Sequence, residues 1–151
     1  MSKKIEHHQS KSLWNYTLSP GWKPQEVAIL KLALQKFGVG KWKKIVSSKC
    51  LPGKSIGQIY MQTQRLLGQQ SLGEFMGLKL DLEAIFKDNM QKTGVTRKNN
   101  FIINTSDNPT KEEKNRRIKE NKEKYGLSDE YVKVIKLPRW RTEGFLTLEE
   151  I

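Results

Sequence analysis

The sequence predicts an all-α fold, in which a three-helix bundle is followed by extra C-terminal helices and extended docking segments. Apolar side chains recur in several segments at spacings of three and four residues, the period of an amphipathic helix. Each of these segments is bounded by capping residues, prolines or glycines that begin or end helices. The chain has 151 residues, 36% of them apolar, which suits one small domain with polar extensions.

The first helix is predicted to begin at Pro24, because a proline lacks the backbone N–H that would have no partner in a first helical turn. Gly38 is predicted to end it. The face directed at the core carries Val27, Leu30, Leu34 and Phe37.

Two shorter helices complete the predicted bundle. The second covers residues 41–48, with Trp42, Ile45 and Val46 directed inward. A break at Pro52 and Gly53 precedes Ser55, which caps a third helix extending to about Leu67. The inward residues of this third helix are Ile56, Ile59, Thr63 and Leu66 or Leu67.

Further helices are predicted beyond the bundle. A fourth covers residues 81–92, and Thr110 with Glu113 forms a capping box for a charged helix that stops at Gly126. Ser128 caps one more short helix. The charged helix has only Ile118 and Tyr125 as strong apolar residues, so we expect it to be exposed or to lie along a charged partner. The fourth helix carries Leu82, Ile85, Phe86 and Met90 on one face.

The chain is thereby divided into five segments. They are a flexible arm (1–18), the bundle (19–70), a loop with the fourth helix (71–92), a linker (93–109), and a charged helix, a short helix and an apolar-basic tail (110–151). The apolar patches beyond the bundle are too scattered for an independent core, so we expect them to dock on other proteins.

The net charge of the chain indicates the kind of partner that it binds. The chain carries 28 basic and 16 acidic residues, a net charge of +12, and residues 19–70 hold nine basic residues with Glu26 as their single acid. Such a surface attracts a polyanion. A lone cysteine, Cys50, excludes an intrachain disulfide and fits a reducing compartment. No apolar run is long enough to span a bilayer, so we expect a soluble protein.

Residues 19–70 resemble the Myb/SANT repeat, a homeodomain-like helix-turn-helix in which two tryptophans about twenty residues apart meet in the core. Departures from the pattern are Thr63, at or near the third aromatic position, and an acidic cluster reduced to Glu26. The resemblance rests on Trp22, Glu26, Leu30, Ala33, Phe37, Gly38, Trp42, Ile45, Pro52, Gly53, Lys54, Ser55, Gln58 and Ile59. The expected core residues are Trp22, Leu30, Phe37, Trp42, Ile45 and Ile59.

The resemblance implies binding of double-stranded DNA, with the third helix in the major groove and Tyr60, Met61, Gln64 and Arg65 near the bases. Gln can read adenine and Arg can read guanine, whereas Met61 cannot donate a hydrogen bond. Because one repeat makes few base contacts, we expect mainly phosphate binding with little sequence preference. The residues expected to bind phosphate are Lys41, Lys43, Lys44 and Lys54. We expect the charged helix to expose its charged side chains to solvent. In the alternative interpretation, Arg116 and Arg117 form a second contact with DNA or with a protein.

Signals for an enzyme are poor, and we expect a noncatalytic protein without metal or cofactor. The sequence Gly53-Lys54-Ser55 resembles the end of a P-loop, but Ser48 stands where the first glycine is required. His7 and His8 have no cysteine or carboxylate at metal-ligand spacing.

The chain as a whole resembles the small homeobox-like accessory subunits of ciliate DNA adenine methyltransferase complexes. The resemblance implies a nuclear, noncatalytic subunit whose partners are a catalytic subunit that binds S-adenosylmethionine, an inactive paralogue of that subunit, and a second homeobox-like subunit. Two alternatives stay open. They are a free-standing Myb-like transcription factor and a SANT-type chromatin scaffold without DNA contact.

Overall fold

The computed structural model describes residues 18–98, 101–103 and 109–140. The predicted arm, apart from Leu18, and the end of the predicted tail lie outside the described residues. Among the described helices, none is long and apolar enough to cross a membrane.

The all-α prediction and the three-helix bundle are confirmed. The bundle consists of α1 (Pro24–Phe37), α2 (Trp42–Ser47) and α3 (Ile56–Leu67). Ser55 caps α3 as predicted, since its side chain accepts a hydrogen bond from the backbone N–H of Gln58 and the Gln58 side chain accepts one from the backbone N–H of Ser55.

The bundle's core differs from the prediction at its edges. Val46 and Ile56 were expected to point inward, but their side chains are 41% and 40% exposed. Because α2 has only six residues, Ile45 is its one buried side chain, and Val46 follows it 100° further around the helix. Trp42 and Phe37 are half-buried at the rim of the core rather than inside it. The remaining predicted core residues, Trp22, Leu30, Ile45 and Ile59, are buried.

Thr63 takes the core position where the resemblance expected an aromatic ring. It is fully buried, and its hydroxyl donates a hydrogen bond to the carbonyl of Ile59 at 2.7 Å. Its neighbour Gln62 is also fully buried, and its side-chain oxygen accepts from the backbone N–H of Ser19 at 2.8 Å. Both of these buried polar side chains therefore have hydrogen-bond partners within the protein.

In the described part of the chain, four helical segments and a pair of short strands follow the bundle. The strands pair antiparallel, with Arg97 opposite Ile102 and Lys98 opposite Phe101. The elements are a 3-10 turn (Gly73–Phe75), α4 (Leu82–Gln91), β1 (Arg97–Lys98), β2 (Phe101–Ile102), α5 (Lys111–Tyr125) and α6 (Asp129–Lys133).

These segments share one core with the bundle, so many of the apolar side chains that were expected to dock on other proteins pack within this chain. Burial of apolar surface favours this shared packing. The residues added to the core are Leu72, Phe75, Leu78, Leu80, Leu82, Ile85, Leu137 and Trp140.

The segment predicted as a linker is joined to the end of α3. The backbone N–H of Ile102 donates to the carbonyl of Gly68 at 2.9 Å, and the carbonyl of Ile102 accepts from Gln70 at 2.7 Å. Gly68 has a φ of 81° and ends α3 in the left-handed conformation that glycine adopts without strain. A Cβ there would lie 3.3 Å from the Phe86 ring.

Residues 135–140, here the C-terminal strap, close over α1 and the end of α2. The backbone N–H of Trp140 donates to the carbonyl of Cys50 at 2.8 Å. The ammonium of Lys36 donates to the carbonyl of Ile135 at 3.1 Å, and that of Lys23 lies 5.5 Å from the centre of the Trp140 ring. The strap therefore contacts the ammonium groups of two lysines of the bundle, Lys36 and Lys23.

Helix α5 lies on the surface of this body. It has no buried residue, as its composition predicted, but Ile118 and Tyr125 pack against the core from its inner side. The side chain of Asn121 donates to the carbonyl of Glu74 at 3.1 Å. The hydroxyl of Tyr125 donates to Asp88 at 2.5 Å.

Candidate nucleic-acid interface

The turn that precedes α3 is held by a buried ion pair. One carboxylate oxygen of Glu26 accepts from the backbone N–H of Lys23 at 2.9 Å, and the other contacts the ammonium of Lys54 at 2.8 Å. The side chains of Lys54 and Glu26 are only 11% and 5% exposed. The same ammonium lies 5.0 Å from the centre of the Trp22 ring.

This arrangement argues against the expectation that Lys54 binds phosphate. Its charge is already paired inside the protein, and releasing it would leave the Glu26 carboxylate buried and unpaired. The single acid of the bundle therefore joins the start of α1 to the start of α3. The sequence does not indicate the pairing of Glu26 with Lys54, because the two residues are 28 positions apart.

The other predicted phosphate-binding lysines lie on the surface around α2. Lys41, Lys43 and Lys44 are exposed, and so is Lys49, which was not among the lysines expected to bind phosphate. Within the described ranges, no carboxylate lies within 4.0 Å of these four ammonium groups. Lys49 has a φ of 60°, which directs the chain from α2 into the following turn. This exposed lysine group is named the α2 lysine cluster.

Helix α3 packs on α2, the helix that carries Lys43 and Lys44. Tyr60 makes an edge-to-face contact with Trp42, their ring centres 5.6 Å apart. The side-chain amide of Gln64 donates to the carbonyl of Gln70 at 2.7 Å. Arg65 is half-exposed.

The two arginines predicted as a second contact lie on α5, a different element that packs on the 3-10 turn and α4. Arg116 is exposed and has the carboxylate of Glu120 at 3.8 Å, one helical turn away. Arg117 lines a cleft of about 510 Å³ together with Lys92 and Lys114. The predicted DNA-binding residues of α2 and α3 therefore lie on two helices that pack together. Arg116 and Arg117 lie on a different helix.

A hydrogen-bonded cluster fixes α5 to α4. The hydrogen bond from Tyr125 holds the pKa of the Asp88 carboxyl below its usual range, and the ammonium of Lys124, 3.5 Å away, acts in the same direction. Desolvation and the neighbouring Asp88 raise the pKa of the Tyr125 hydroxyl, so it keeps its proton at neutral pH. These contacts therefore have a structural role, which is to hold α5 against α4.

Burial raises the pKa of the Cys50 thiol, which is therefore protonated at neutral pH and unreactive. In the part of the chain that the structure covers, no group of three or more histidine, cysteine or acidic residues could hold a metal ion.

Comparison with known proteins identifies the bundle. Residues 19–67 match the family model of the Myb-like DNA-binding domain, in agreement with the resemblance read from the tryptophans. The matched range ends at the last residue of α3, before the 3-10 turn. No curated protein and no solved structure matches the chain.

Proposed function

We propose, from the membership of residues 19–67 in the Myb-like DNA-binding domain family, that the protein binds double-stranded DNA through α2 and α3. The observation that carries the proposal is the α2 lysine cluster, which is exposed, free of nearby described carboxylates and located on and around α2, the helix that packs on α3. Lysine ammonium groups in this position bind backbone phosphates while α3 enters the major groove.

Binding of this kind depends strongly on salt. Lys41, Lys43, Lys44 and Arg65 provide about four phosphate contacts, which gives a slope of log K against log salt of about −4. Lys54 contributes nothing to this slope because Glu26 neutralises it. Base readout by Tyr60 and Gln64 is limited, since both side chains have partners within the protein.

A matched pair of variants tests the DNA-binding surface in the full chain. The triple variant Lys41→Gln, Lys43→Gln, Lys44→Gln should bind duplex DNA more weakly and with a flatter salt dependence. The control removes three exposed lysines from other elements, through Lys79→Gln, Lys87→Gln and Lys133→Gln. Both triples lower the net charge equally, so equal losses of affinity would contradict a localised interface.

A third variant, Arg116→Gln with Arg117→Gln, tests the proposed second contact. If α5 also touches DNA, this variant should reduce the salt slope by about two. An unchanged slope would restrict the interface to α2 and α3.

The finer proposal is that the protein serves as a noncatalytic accessory subunit of a nuclear DNA adenine methyltransferase complex, where it promotes DNA engagement for 6-methyladenine formation. The resemblance of the whole chain supports this role. A single domain with few groups free to read bases also supports it, because such a domain gains affinity when it is joined to other DNA-binding subunits.

Reconstitution tests the finer proposal. The protein is mixed with the catalytic subunit, its inactive paralogue and the second homeobox-like subunit, and both assembly and methyl transfer are measured. The α2 triple variant should assemble normally and regain activity at low salt. Full methylation without this protein would contradict the accessory role. Tight sequence-specific binding by the protein alone would favour a transcription factor, and absence of DNA binding would favour a chromatin scaffold.

A further inference from the structure

The outward face of α3 carries three exposed apolar side chains. Met61 is 58% exposed, Ile56 is 40% exposed and Tyr60 is 37% exposed. Met61 shares the central stripe of this face with Gly57, one turn before it, and Gln64, one turn after it. The opposite face of α3 is buried in the core.

The polar residue of the stripe is directed elsewhere. Bidentate reading of adenine requires the amide group of a Gln side chain to donate and accept together. The Gln64 amide already donates to the carbonyl of Gln70 at 2.7 Å, which directs it along the helix toward the following loop. Met61 is therefore the longest side chain of the stripe that projects outward without a hydrogen-bond partner in the protein.

The presence of glycine at position 57 is independent evidence that another molecule contacts this face of α3. Its φ is not positive, and a Cβ at this position would meet nothing closer than the hydroxyl of Ser55 at 3.9 Å. Glycine disfavours a helix, and neither strain nor crowding requires it here. A glycine on an exposed helix face allows another molecule to approach the backbone closely.

The charged residues near this stripe indicate what kind of molecule binds to it. Arg65 lies one turn after Met61 on α3, and the exposed Lys43 and Lys44 belong to α2, which contacts Tyr60 through Trp42. The expected complement of this surface is therefore apolar at the centre and anionic at the edges. The major groove of duplex DNA has this character where thymine C5-methyl groups lie between two phosphate backbones.

We infer that α3 recognises thymine methyl groups, with Met61 making the apolar contact and Gly57 allowing the close approach of the helix. This inference rests on the proposed DNA binding and adds the groups that are read. It gives the protein a preference for thymine-containing sites that needs no hydrogen bond to a base.

Replacing thymine by uracil removes the methyl group and retains base pairing. We expect the full chain to bind a uracil duplex less tightly than the thymine duplex of the same sequence, by about fourfold for each buried methyl group. The variant Met61→Gln should lose this difference while retaining the salt slope, because it keeps every lysine. Met61 is exposed, so the substitution should leave the fold intact.

Two results would overturn the inference while leaving the proposed function in place. One is equal affinity for the thymine and uracil duplexes. The other is an unchanged uracil effect in Met61→Gln, which would assign it to duplex shape. Failure to bind any duplex would instead overturn the proposed function.

A second variant tests the close approach separately. Gly57→Ala should weaken binding to both duplexes without lowering the thermal midpoint of the protein, since alanine favours the helix. Wild-type affinity in Gly57→Ala would exclude a contact at the backbone of α3.

Discussion

Replacing Lys54 by methionine separates a structural ion pair from a DNA contact. The substitution keeps the long side chain beside Trp22 and removes the ammonium, which lies 2.8 Å from Glu26. The carboxylate of Glu26 is then buried with the backbone N–H of Lys23 as its remaining hydrogen-bond donor among the described contacts.

The expected loss of stability is large because both side chains are nearly buried. Removing one partner of a buried pair costs about 3 to 5 kcal/mol. For a chain of this length, that loss lowers the melting temperature by about 6 to 20 °C. The double variant Glu26→Gln with Lys54→Met should regain part of it, since no buried charge is then left unpaired.

Thermal unfolding by circular dichroism and DNA binding by fluorescence anisotropy are measured on the same samples. Lys44→Gln serves as the comparison, and we expect it to weaken DNA binding without changing the melting temperature, because Lys44 is exposed. If Lys54→Met instead melted like the wild type and bound DNA as weakly as Lys44→Gln, Lys54 would be a phosphate contact and the structural role would be refuted.

Three further predictions concern the core and the surface cluster. Trp22→Ala should cost about 3 to 5 kcal/mol, and Trp42→Ala clearly less, because Trp22 is buried and Trp42 is half-buried; equal losses in denaturant titrations would contradict this order. Deletion of residues 78–151 should abolish cooperative unfolding, since it removes part of the shared core; a sharp thermal transition in the truncated protein would show that the bundle is autonomous. The pKa of Asp88 is lowered in the folded state, so its contact with Tyr125 stabilises the protein above the unfolded pKa of about 3.9 and is lost as the pH falls through the folded value. Tyr125→Phe should therefore reduce the loss of stability on acidification, and identical acid unfolding curves would exclude the linkage.

The helices of the bundle could be predicted because their signals are local. Pro24 begins α1, and Ser55 with Gln58 begins α3, through contacts that span at most four residues. Similarly, the pattern of residues from Trp22 to Ile59 resembles a Myb/SANT repeat, and the family match supports this resemblance. Long-range pairing leaves no such local pattern, and for that reason the sequence did not indicate the ion pair between Lys54 and Glu26.

The sequence by itself determined the helices, their order, the basic charge of residues 19–70 and the Myb-like character of that segment. The tertiary structure decided which of the basic residues are available. Lys54 pairs with Glu26, Lys31 lies 3.3 Å from the carboxylate of Glu83, and Lys36 contacts the C-terminal strap, whereas the α2 lysine cluster remains exposed. Tertiary packing also placed the apolar residues of the later segments in the core of the bundle. The physical reason is the same in both cases. Hydrophobic burial and charge pairing depend on distance in space, and residues 28, 52 and 99 positions apart become neighbours only when the chain has folded.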